Sequence, residues 1–302
     1  MQKQPNNPLQ VIEELRPGQS LALLKELHIL TREGKLNQDT RRKLKQVYHL
    51  YQFIEPLLDA VFTTQTTPTL ADHGAGKSYL GFILYDLFFN VAHAGQKNTG
   101  HIYGIETRAE LVDKSRLLAA QLGFKRMSFL NLSVQSATTS SALPTRIDIV
   151  TALHACDTAT DDAIAFGLAK GAQHMVLVPC CQAEVAGVLK KTKALNLRKT
   201  ALAELWRRPL HTREFGSQIT NVLRCLQLEA NGYHVTVTEL VGWEHSMKNE
   251  LILASKPALS SPAGSEANTT KTEAAQQRLQ AVLAELGLGE LTTRFGAADA
   301  SG

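Results

Sequence analysis

The stretch LADHGAGKSYLGF, residues 70–82, decides the fold, because it combines parts of two different ligand-binding turns. Its GKS (76–78) is the end of a phosphate-binding loop of the form G-x-x-x-x-G-K-[ST]. That loop needs a glycine at position 71, which is Ala71. A strand that ends directly in Asp, the second half of the motif, is also missing downstream. A nucleoside-triphosphatase is therefore the weaker interpretation.

The segment DHGAG (72–76) favours the second interpretation, a turn that binds S-adenosylmethionine. Asp72 closes a strand, and Gly74 and Gly76 allow a tight turn with close approach of a ligand to the backbone. The helix that follows offers its positive amino terminus, and Lys77 could pair with the methionine carboxylate. A dinucleotide turn would need a third glycine at position 79, which is Tyr79.

Composition indicates an ordinary globular chain: 302 residues, 44% hydrophobic, 20% charged, net charge +4. The polar start MQKQPNNPLQ does not resemble a signal peptide, and the apolar run 80–89 is interrupted by Asp86 and is too short to span a membrane. We therefore expect a soluble, cytoplasmic protein. The four cysteines form no C-x-x-C pair, so we expect reduced thiols and no metal site.

Residues 1–62 read as a helical region, with apolar residues at three- and four-residue spacing in 20–34 and 40–62. The basic run that begins at Arg41 is interpreted as a solvated helix face. Residues 257–302 begin with a Ser-, Thr-, Ala- and Pro-rich segment, expected to be a flexible linker. A short tail helix follows it.

Residues 63–256 alternate short β-rich runs with helical stretches, which predicts a doubly wound, Rossmann-like, mostly parallel α/β sheet. The last two strand patterns are only a few residues apart, which is too close for a helical crossover. We therefore expect a terminal antiparallel hairpin strand, a feature of class I methyltransferase sheets. A basic helical insert is expected at about 184–214.

A carboxylate at the end of the second predicted strand completes the predicted donor site. Glu106 closes HIYGIE (101–106), where it could accept hydrogen bonds from both ribose hydroxyls. Two further residues are expected to contact the donor. Gln135 follows the third predicted strand, and Leu153 lies in the fourth.

Several motifs together make the sequence similar to a known family. These are DHGAGKSYL, IYGIETRAELVDKSRLLAAQLGF, LHACDTATDDAI, VPCCQ and EHSMKN. They resemble class I S-adenosylmethionine-dependent methyltransferases over roughly residues 38–256. The related group includes methyltransferase-like proteins once labelled ribosomal-RNA-adenine-dimethylase-domain proteins, a glutathione-S-transferase C-terminal-domain-containing protein and a tRNA 2′-O-methyltransferase. The resemblance implies the fold, the S-adenosylmethionine cofactor and RNA as acceptor. His73 and Ser78 depart from the usual family pattern.

The chemistry is expected after the fourth and fifth strands, because ligands of doubly wound sheets bind at the carboxyl ends of the strands. His154 and Asp157 are candidates for a base and its orienting carboxylate, as methyl transfer to a hydroxyl requires. Asp157 could equally cap the helix beginning at Thr158. Cys156 and Cys180 occupy places where pyrimidine methyltransferases carry a nucleophile, although a buried thiol is the simpler interpretation.

The segment 190–224 is strongly basic and could bind RNA. Trp206 directly precedes Arg207 and Arg208, a combination suited to stacking a base and tracking phosphates. A solvated basic helix pair is the alternative. The segment contains only two acidic residues, Glu204 and Glu214, but nine basic ones: Lys190, Lys191, Lys193, Arg198, Lys199, Arg207, Arg208, Arg213 and Arg224. A small-molecule or protein acceptor, or donor binding without turnover, also fits the sequence.

Overall fold

The structure, a computed structural model, contains one seven-stranded sheet with helices on both faces. It describes residues 14–64, 67–95, 100–153, 157–179, 182–192, 199–240, 250–257 and 266–296. The strands are β1 Thr69–His73, β2 His101–Glu106, β3 Met127–Asn131, β4 Ile149–Leu153, β5 His174–Val178, β6 His234–Glu239 and β7 Glu250–Ser255.

The strand order is β3-β2-β1-β4-β5-β7-β6. β1 to β5 are parallel, whereas β7 is antiparallel to both β5 and β6. The predicted doubly wound sheet with its antiparallel terminal hairpin is therefore confirmed. Because the order in which successive strands are added reverses between β1 and β4, the carboxyl ends of these two parallel strands border the crevice where ligands of such sheets bind.

Helices precede β1, lie between successive strands from β1 to β6, and follow β7. They are α1 Leu21–Glu26, α2 Gln38–Thr64, α3 Tyr79–Leu84, α4 Ala109–Gln121, α5 Val134–Thr139, α6 Thr158–Ala169, α7 Glu184–Thr192, α8 Pro209–Ala230, α9 Glu266–Glu285 and α10 Thr292–Phe295. A π-helical segment, Tyr85–Ala92, continues α3, and a 3₁₀ helix, Ala201–Trp206, precedes α8. In the part of the chain that the structure describes, no helix is long and apolar enough to cross a membrane.

The first predicted helix ends earlier than its apolar spacing suggests. α1 stops at Glu26, and His28 adopts a left-handed conformation with φ of 55°. The N–H of Ile29 then donates to the carbonyl of Leu24 and that of His28 to Lys25, which is a Schellman stop. Because Leu27 and Ile29, on either side of this left-handed residue, are both buried, core packing overrides the helical periodicity here.

The amino-terminal helices pack on the sheet. Leu24, Leu50 and Ile54 are fully buried in the same cluster as Leu70 of β1 and Ile102 of β2. The hydrophobic core is thus continuous across residue 62, where the sequence placed the end of the helical region. The predicted limits 1–62, 63–256 and 257–302 stay predictions.

The tail helix packs on α8, together with α7 and α10. Leu279, Phe295 and Leu189 are fully buried in this second cluster, which lies beyond the sheet. Arg294 also forms an ion pair with Glu184 of α7, with 2.8 Å between Nε and an Oε atom. The predicted linker covers 257–277, of which 258–265 lie outside the described residues. From Glu266 onward the segment is part of α9, so the linker prediction is wrong for this half.

Two helical glycines allow a test of how closely α7 approaches α8. A Cβ added at Gly216 would lie 2.6 Å from the Cα of Ala186, whereas one added at Gly187 would meet nothing within 4 Å. We expect Gly216→Ala to destabilise the protein by about 1 to 3 kcal/mol through overpacking. Gly187→Ala, the matched control, should stabilise it by up to about 1 kcal/mol. Urea unfolding midpoints check both, and equal shifts would contradict the α7–α8 contact.

Candidate active site

The loop after β1 is built on alternate left-handed residues. Gly74, Gly76 and Ser78 have φ of 66°, 58° and 51°. The N–H of Ala75 donates to the carbonyl of Ile105 in β2, at 3.0 Å, which fixes the loop to the neighbouring strand. Such alternation curves the backbone into a concave surface suited to polar ligand groups. The two glycines adopt this conformation without the strain that Ser78 bears.

Ser78 does not have the environment of a phosphate-loop serine. Its side chain is fully buried, and its Oγ lies 2.6 Å from where a Cβ of Gly81 would stand. In a phosphate-binding loop this hydroxyl would bind magnesium at the ligand. The buried position of Ser78 therefore argues against the nucleoside-triphosphatase interpretation.

Asp72 lies at the end of β1 in a dry environment. It is 2% exposed, and one carboxylate oxygen accepts a hydrogen bond of 2.9 Å from the Thr151 hydroxyl of β4. Burial raises the pKa of Asp72 to about 7, although the hydrogen bond from Thr151 acts in the opposite direction. The carboxyl group is therefore poised between its neutral and charged forms at physiological pH.

Glu106 closes β2 and reaches across to the glycine loop. Its Oε2 accepts a hydrogen bond of 2.8 Å from the Gly76 N–H, and its Oε1 accepts one of 3.1 Å from the Arg108 N–H. The Arg108 guanidinium adds bonds of 3.1 and 3.2 Å. Burial raises the pKa of Glu106, but the bonds from Arg108 and Gly76 outweigh it and lower the pKa to about 2. A permanently ionised carboxylate thus stands at the carboxyl edge of the sheet.

The other predicted donor residues lie around this edge. Gln135 is exposed in the first turn of α5, and Leu153 is half-buried at the end of β4. Lys77 is exposed and lines a cleft of about 410 Å³ together with Tyr79 and Lys114. This cleft lies against α4, and neither Asp72 nor Glu106 lines it.

Asp157 caps a different helix from the one expected. It stands before α6 with φ of 51°, but its side chain makes no capping bond to that helix. One carboxylate oxygen instead accepts from the N–H groups of Ala183 and Glu184, at 2.9 and 3.3 Å, at the start of α7. The cap expected on the helix that begins at Thr158 is therefore wrong. The same carboxylate ties the end of β4 to the segment after β5.

A buried polar network supports this turn from behind. Arg224 of α8 is 0% exposed and forms a bidentate ion pair with Asp161 of α6, with bonds of 2.7 and 2.9 Å. Its Nη2 also donates to the Asp157 carbonyl at 2.8 Å. Asn221 connects Arg224 to Gln182 after β5, with bonds of 3.1 and 2.9 Å. The network therefore joins the segments that follow β4 and β5.

Arg224 is accordingly a structural residue, and its assignment to a basic surface is wrong. Its burial and its pairing with Asp161 remove it from any contact with RNA. Asp161 was not predicted as a site residue, and Arg224 was predicted only as part of the basic segment. Sequence offers no signal for the pair, because the two residues lie 63 positions apart.

The remaining catalytic candidates are the histidine and the thiols. His154, Cys156, Cys180 and Cys181 lie outside the described residues. Burial raises the pKa of the Cys225 thiol to about 12, which makes it a poor nucleophile. Among the residues that the structure describes, no group of three His, Cys, Asp or Glu side chains could hold a metal ion.

The basic segment is partly packed and partly exposed. Trp206 is half-buried and packs edge-to-face on Phe215, with 5.5 Å between ring centroids. Arg207 and Arg208 are exposed, and Arg207 pairs with Glu204 at 3.3 Å. Lys190, Lys191, Lys199 and Arg213 are also exposed, while Lys193 and Arg198 lie outside the described ranges.

Comparison with known proteins identifies the class. Residues 42–188 match the family model described as a methyltransferase domain. The protein is thus a class I methyltransferase, and its methyl donor is S-adenosylmethionine. None of the curated protein sequences compared with the chain matches it.

The solved structures that match the chain are only distantly similar to it. An rRNA methylase from Streptococcus thermophilus has 10% identity and a TM-score of 0.39, with 69% of this chain and 94% of that chain covered. Magnesium protoporphyrin IX methyltransferase from Synechocystis, solved with S-adenosylhomocysteine, has 14% identity and a TM-score of 0.42, with 78% and 95% covered. Fibrillarin from Aeropyrum pernix, solved with S-adenosylmethionine, has 14% identity and a TM-score of 0.35, with 63% and 66% covered.

The buried Asp72 should make stability depend on pH in a characteristic way. Between pH about 4 and 7 the folded protein keeps a proton on Asp72 that the unfolded chain has released. Wild-type stability should therefore fall across this window, and Asp72→Asn should abolish this contribution. The difference in melting temperature, Asp72→Asn minus wild type, should therefore increase by several degrees between pH 4 and pH 7. For a protein of this size, 1 kcal/mol of stability corresponds to roughly 2 to 4 °C.

Thermal unfolding followed by circular dichroism over this pH range measures the effect. Asp113→Asn, which replaces an exposed carboxylate on α4, is the matched control. A difference between Asp72→Asn and the wild type that stays constant with pH would show that Asp72 is charged throughout.

Proposed function

We propose that this methyltransferase methylates RNA, with the donor bound across the ends of β1, β2 and β4. The supporting observation is the ionised Glu106 carboxylate held against the glycine loop by the Gly76 N–H. This arrangement brings a strong acceptor and a concave backbone surface together, as an adenosyl group with ribose hydroxyls requires.

The residues of this edge fit the donor by their chemistry. Glu106 would accept the ribose hydroxyls in place of the bonds that it now receives from Gly76 and Arg108. Asp72, Gly74 and Gly76 would shape the methionine end, and Lys77 could pair with the donor carboxylate. We assign Gln135 and Leu153 to the remaining donor contacts. The bound donor supplies a methyl group activated by its sulfonium charge.

For the acceptor we propose a hydroxyl group. Asp157 stands at the carboxyl edge with its carboxylate fixed by two N–H groups of α7. A carboxylate held in this way can orient a neighbouring base, and His154 is three residues before it in the chain. Asp157 then has both a capping and a catalytic role. A pyrimidine-carbon acceptor, with Cys180 as nucleophile, is the alternative chemistry.

The exposed cations before α8 support an RNA acceptor. Asn221 of α8 bonds to Glu250, the first residue of antiparallel β7, so it lies level with the carboxyl edge of the sheet. Arg208 immediately precedes α8 and stands about 20 Å farther along the helix axis, beyond that edge. Arg207 and Arg208 would therefore hold the RNA backbone at a distance from the reacting nucleotide. Because Trp206 packs on Phe215, we do not retain it as a stacking platform in this proposal.

Other acceptors remain alternatives, and each would show a distinct behaviour. If the acceptor is a small molecule or a protein, substitutions in the basic segment should leave its methylation unchanged. A protein that only holds the donor would bind S-adenosylmethionine without turnover of any acceptor. The cytoplasmic location expected from the sequence stays a prediction.

Calorimetric titration with S-adenosylmethionine tests the donor site. We expect Glu106→Ala to weaken binding by about 1 to 3 kcal/mol, since the ribose hydroxyls lose their charged acceptor. Asp72→Ala should also weaken binding. Glu110→Ala, which removes an exposed acid in the first turn of α4, is the matched control. Wild-type affinity in Glu106→Ala would show that the ribose lies elsewhere. Binding of ATP with magnesium, but not of S-adenosylmethionine, would overturn the donor assignment.

Salt-dependent binding of single-stranded RNA tests the acceptor. Charge reversal by Arg207→Glu and Arg208→Glu should weaken binding and lower the slope of log K against log salt by about 0.7 for each lost phosphate contact. Lys43→Glu with Lys45→Glu, an equal charge change on the exposed face of α2, is the control. Equal slopes for the wild type and both variants would remove the case for RNA at this segment.

A further inference from the structure

His73 is a buried polar side chain with no hydrogen-bond partner among the described residues. It is 6% exposed, and both Nδ1 and Nε2 are buried and unpaired in that part of the chain. An unpaired buried donor or acceptor costs about 1 to 3 kcal/mol, so each such group calls for an explanation. A ligand group that completes the pairing is one such explanation.

The ring lies directly beneath the carboxyl edge of the sheet. His73 is the last residue of β1, pairs with Ile105 of β2 and immediately precedes Gly74. Because side chains alternate along a strand, His73 faces the side opposite to Asp72. There its ring packs on Phe166 of α6, with 5.8 Å between ring centroids.

The electrostatic surroundings keep this imidazole neutral. Burial lowers the pKa of His73 to about 4, against the opposing effect of the Glu106 charge. A neutral imidazole offers one donor and one acceptor. Adenosine matches that pair, since its base and ribose carry both donors and acceptors without charge. The charged methionine end of the donor matches it less well, because a neutral ring cannot offset a buried charge.

We propose that His73 hydrogen-bonds the adenosine part of S-adenosylmethionine, from the sheet face opposite to Asp72. This rests on the proposed donor site at Glu106 and the glycine loop, and adds a recognition residue to it. Without a ligand the imidazole is unpaired, which is unfavourable. Binding of an adenosyl group would relieve that cost, and His73 would therefore favour ligands that carry this group.

Three substitutions at His73 separate its hydrogen bonds from its packing. His73→Phe keeps an aromatic ring beside Phe166 but removes both nitrogens. His73→Asn and His73→Gln place an amide near the positions of Nδ1 and Nε2, respectively. We expect His73→Phe to weaken binding of S-adenosylmethionine and of free adenosine by the same factor, about 10- to 100-fold. One of the two amide variants should restore binding to within a few-fold of the wild type.

Calorimetry measures these affinities, and His174→Phe is the matched control. His174 begins β5 at the opposite end of the sheet, where its Nδ1 pairs with the Ser255 hydroxyl at 2.8 Å. Wild-type affinity in His73→Phe would overturn the proposal, as would a loss confined to S-adenosylmethionine with adenosine unaffected. If the wild type and His174→Phe bind neither ligand, the donor site itself is wrong, which is a separate and recognisable failure.

A measurement on the wild type makes the test independent of how the variants fold. In ¹⁵N-imidazole NMR spectra, the ring nitrogens of His73 should shift on addition of S-adenosylhomocysteine, and the ring should remain neutral. Unchanged His73 signals at saturating ligand would overturn the proposal.

Discussion

The buried ion pair between Arg224 and Asp161 holds together the edge of the sheet at which the chemistry is proposed. A fully buried guanidinium is costly to desolvate, and here two carboxylate oxygens, the Asn221 side chain and the Asp157 carbonyl satisfy it. Because the partners come from α6, α8 and the turn after β4, removal of either charge would leave the other unpaired in the interior. The pair thus couples the shape of the Asp157 turn to the packing of two helices.

That coupling explains how Asp157 keeps an unfavourable backbone conformation. A non-glycine residue with φ of 51° is strained, and such strain persists only when surrounding contacts fix it. Arg224 donates a hydrogen bond to the Asp157 carbonyl, and the N–H groups at the start of α7 donate to the Asp157 carboxylate. Asp157 and the start of α7 are therefore fixed relative to each other, which suits a site that needs fixed geometry.

The two strand-end carboxylates show how the environment divides roles between similar groups. Asp72 is enclosed, and burial outweighs the hydrogen bonding of its carboxylate, so its pKa rises to about 7. Glu106 receives N–H bonds and a guanidinium, so its pKa falls to about 2. In the absence of the donor the protein itself supplies the partners of Glu106. A ligand at this carboxylate would therefore exchange one set of hydrogen bonds for another, and in our proposal the unpaired His73 adds the selectivity.

The sequence by itself determined the class of fold. Strand and helix periodicities are local signals, so they predicted the parallel sheet and its antiparallel end, which the structure confirms. The donor role of the glycine loop and Glu106 stays a proposal. The short α5 and the early stop of α1 were missed, because six-residue elements carry too little periodicity and core burial overrides it.

The tertiary structure decided which charges are surface and which are core. Arg224 and Arg208 look alike in the sequence, yet one is fully buried against Asp161 and the other is exposed at the start of α8. The capping of α7 by Asp157 depends on residues 26 positions apart. Such pairings arise only when distant segments meet, because the desolvation of a charge depends on its neighbours in space, not on its neighbours in the chain.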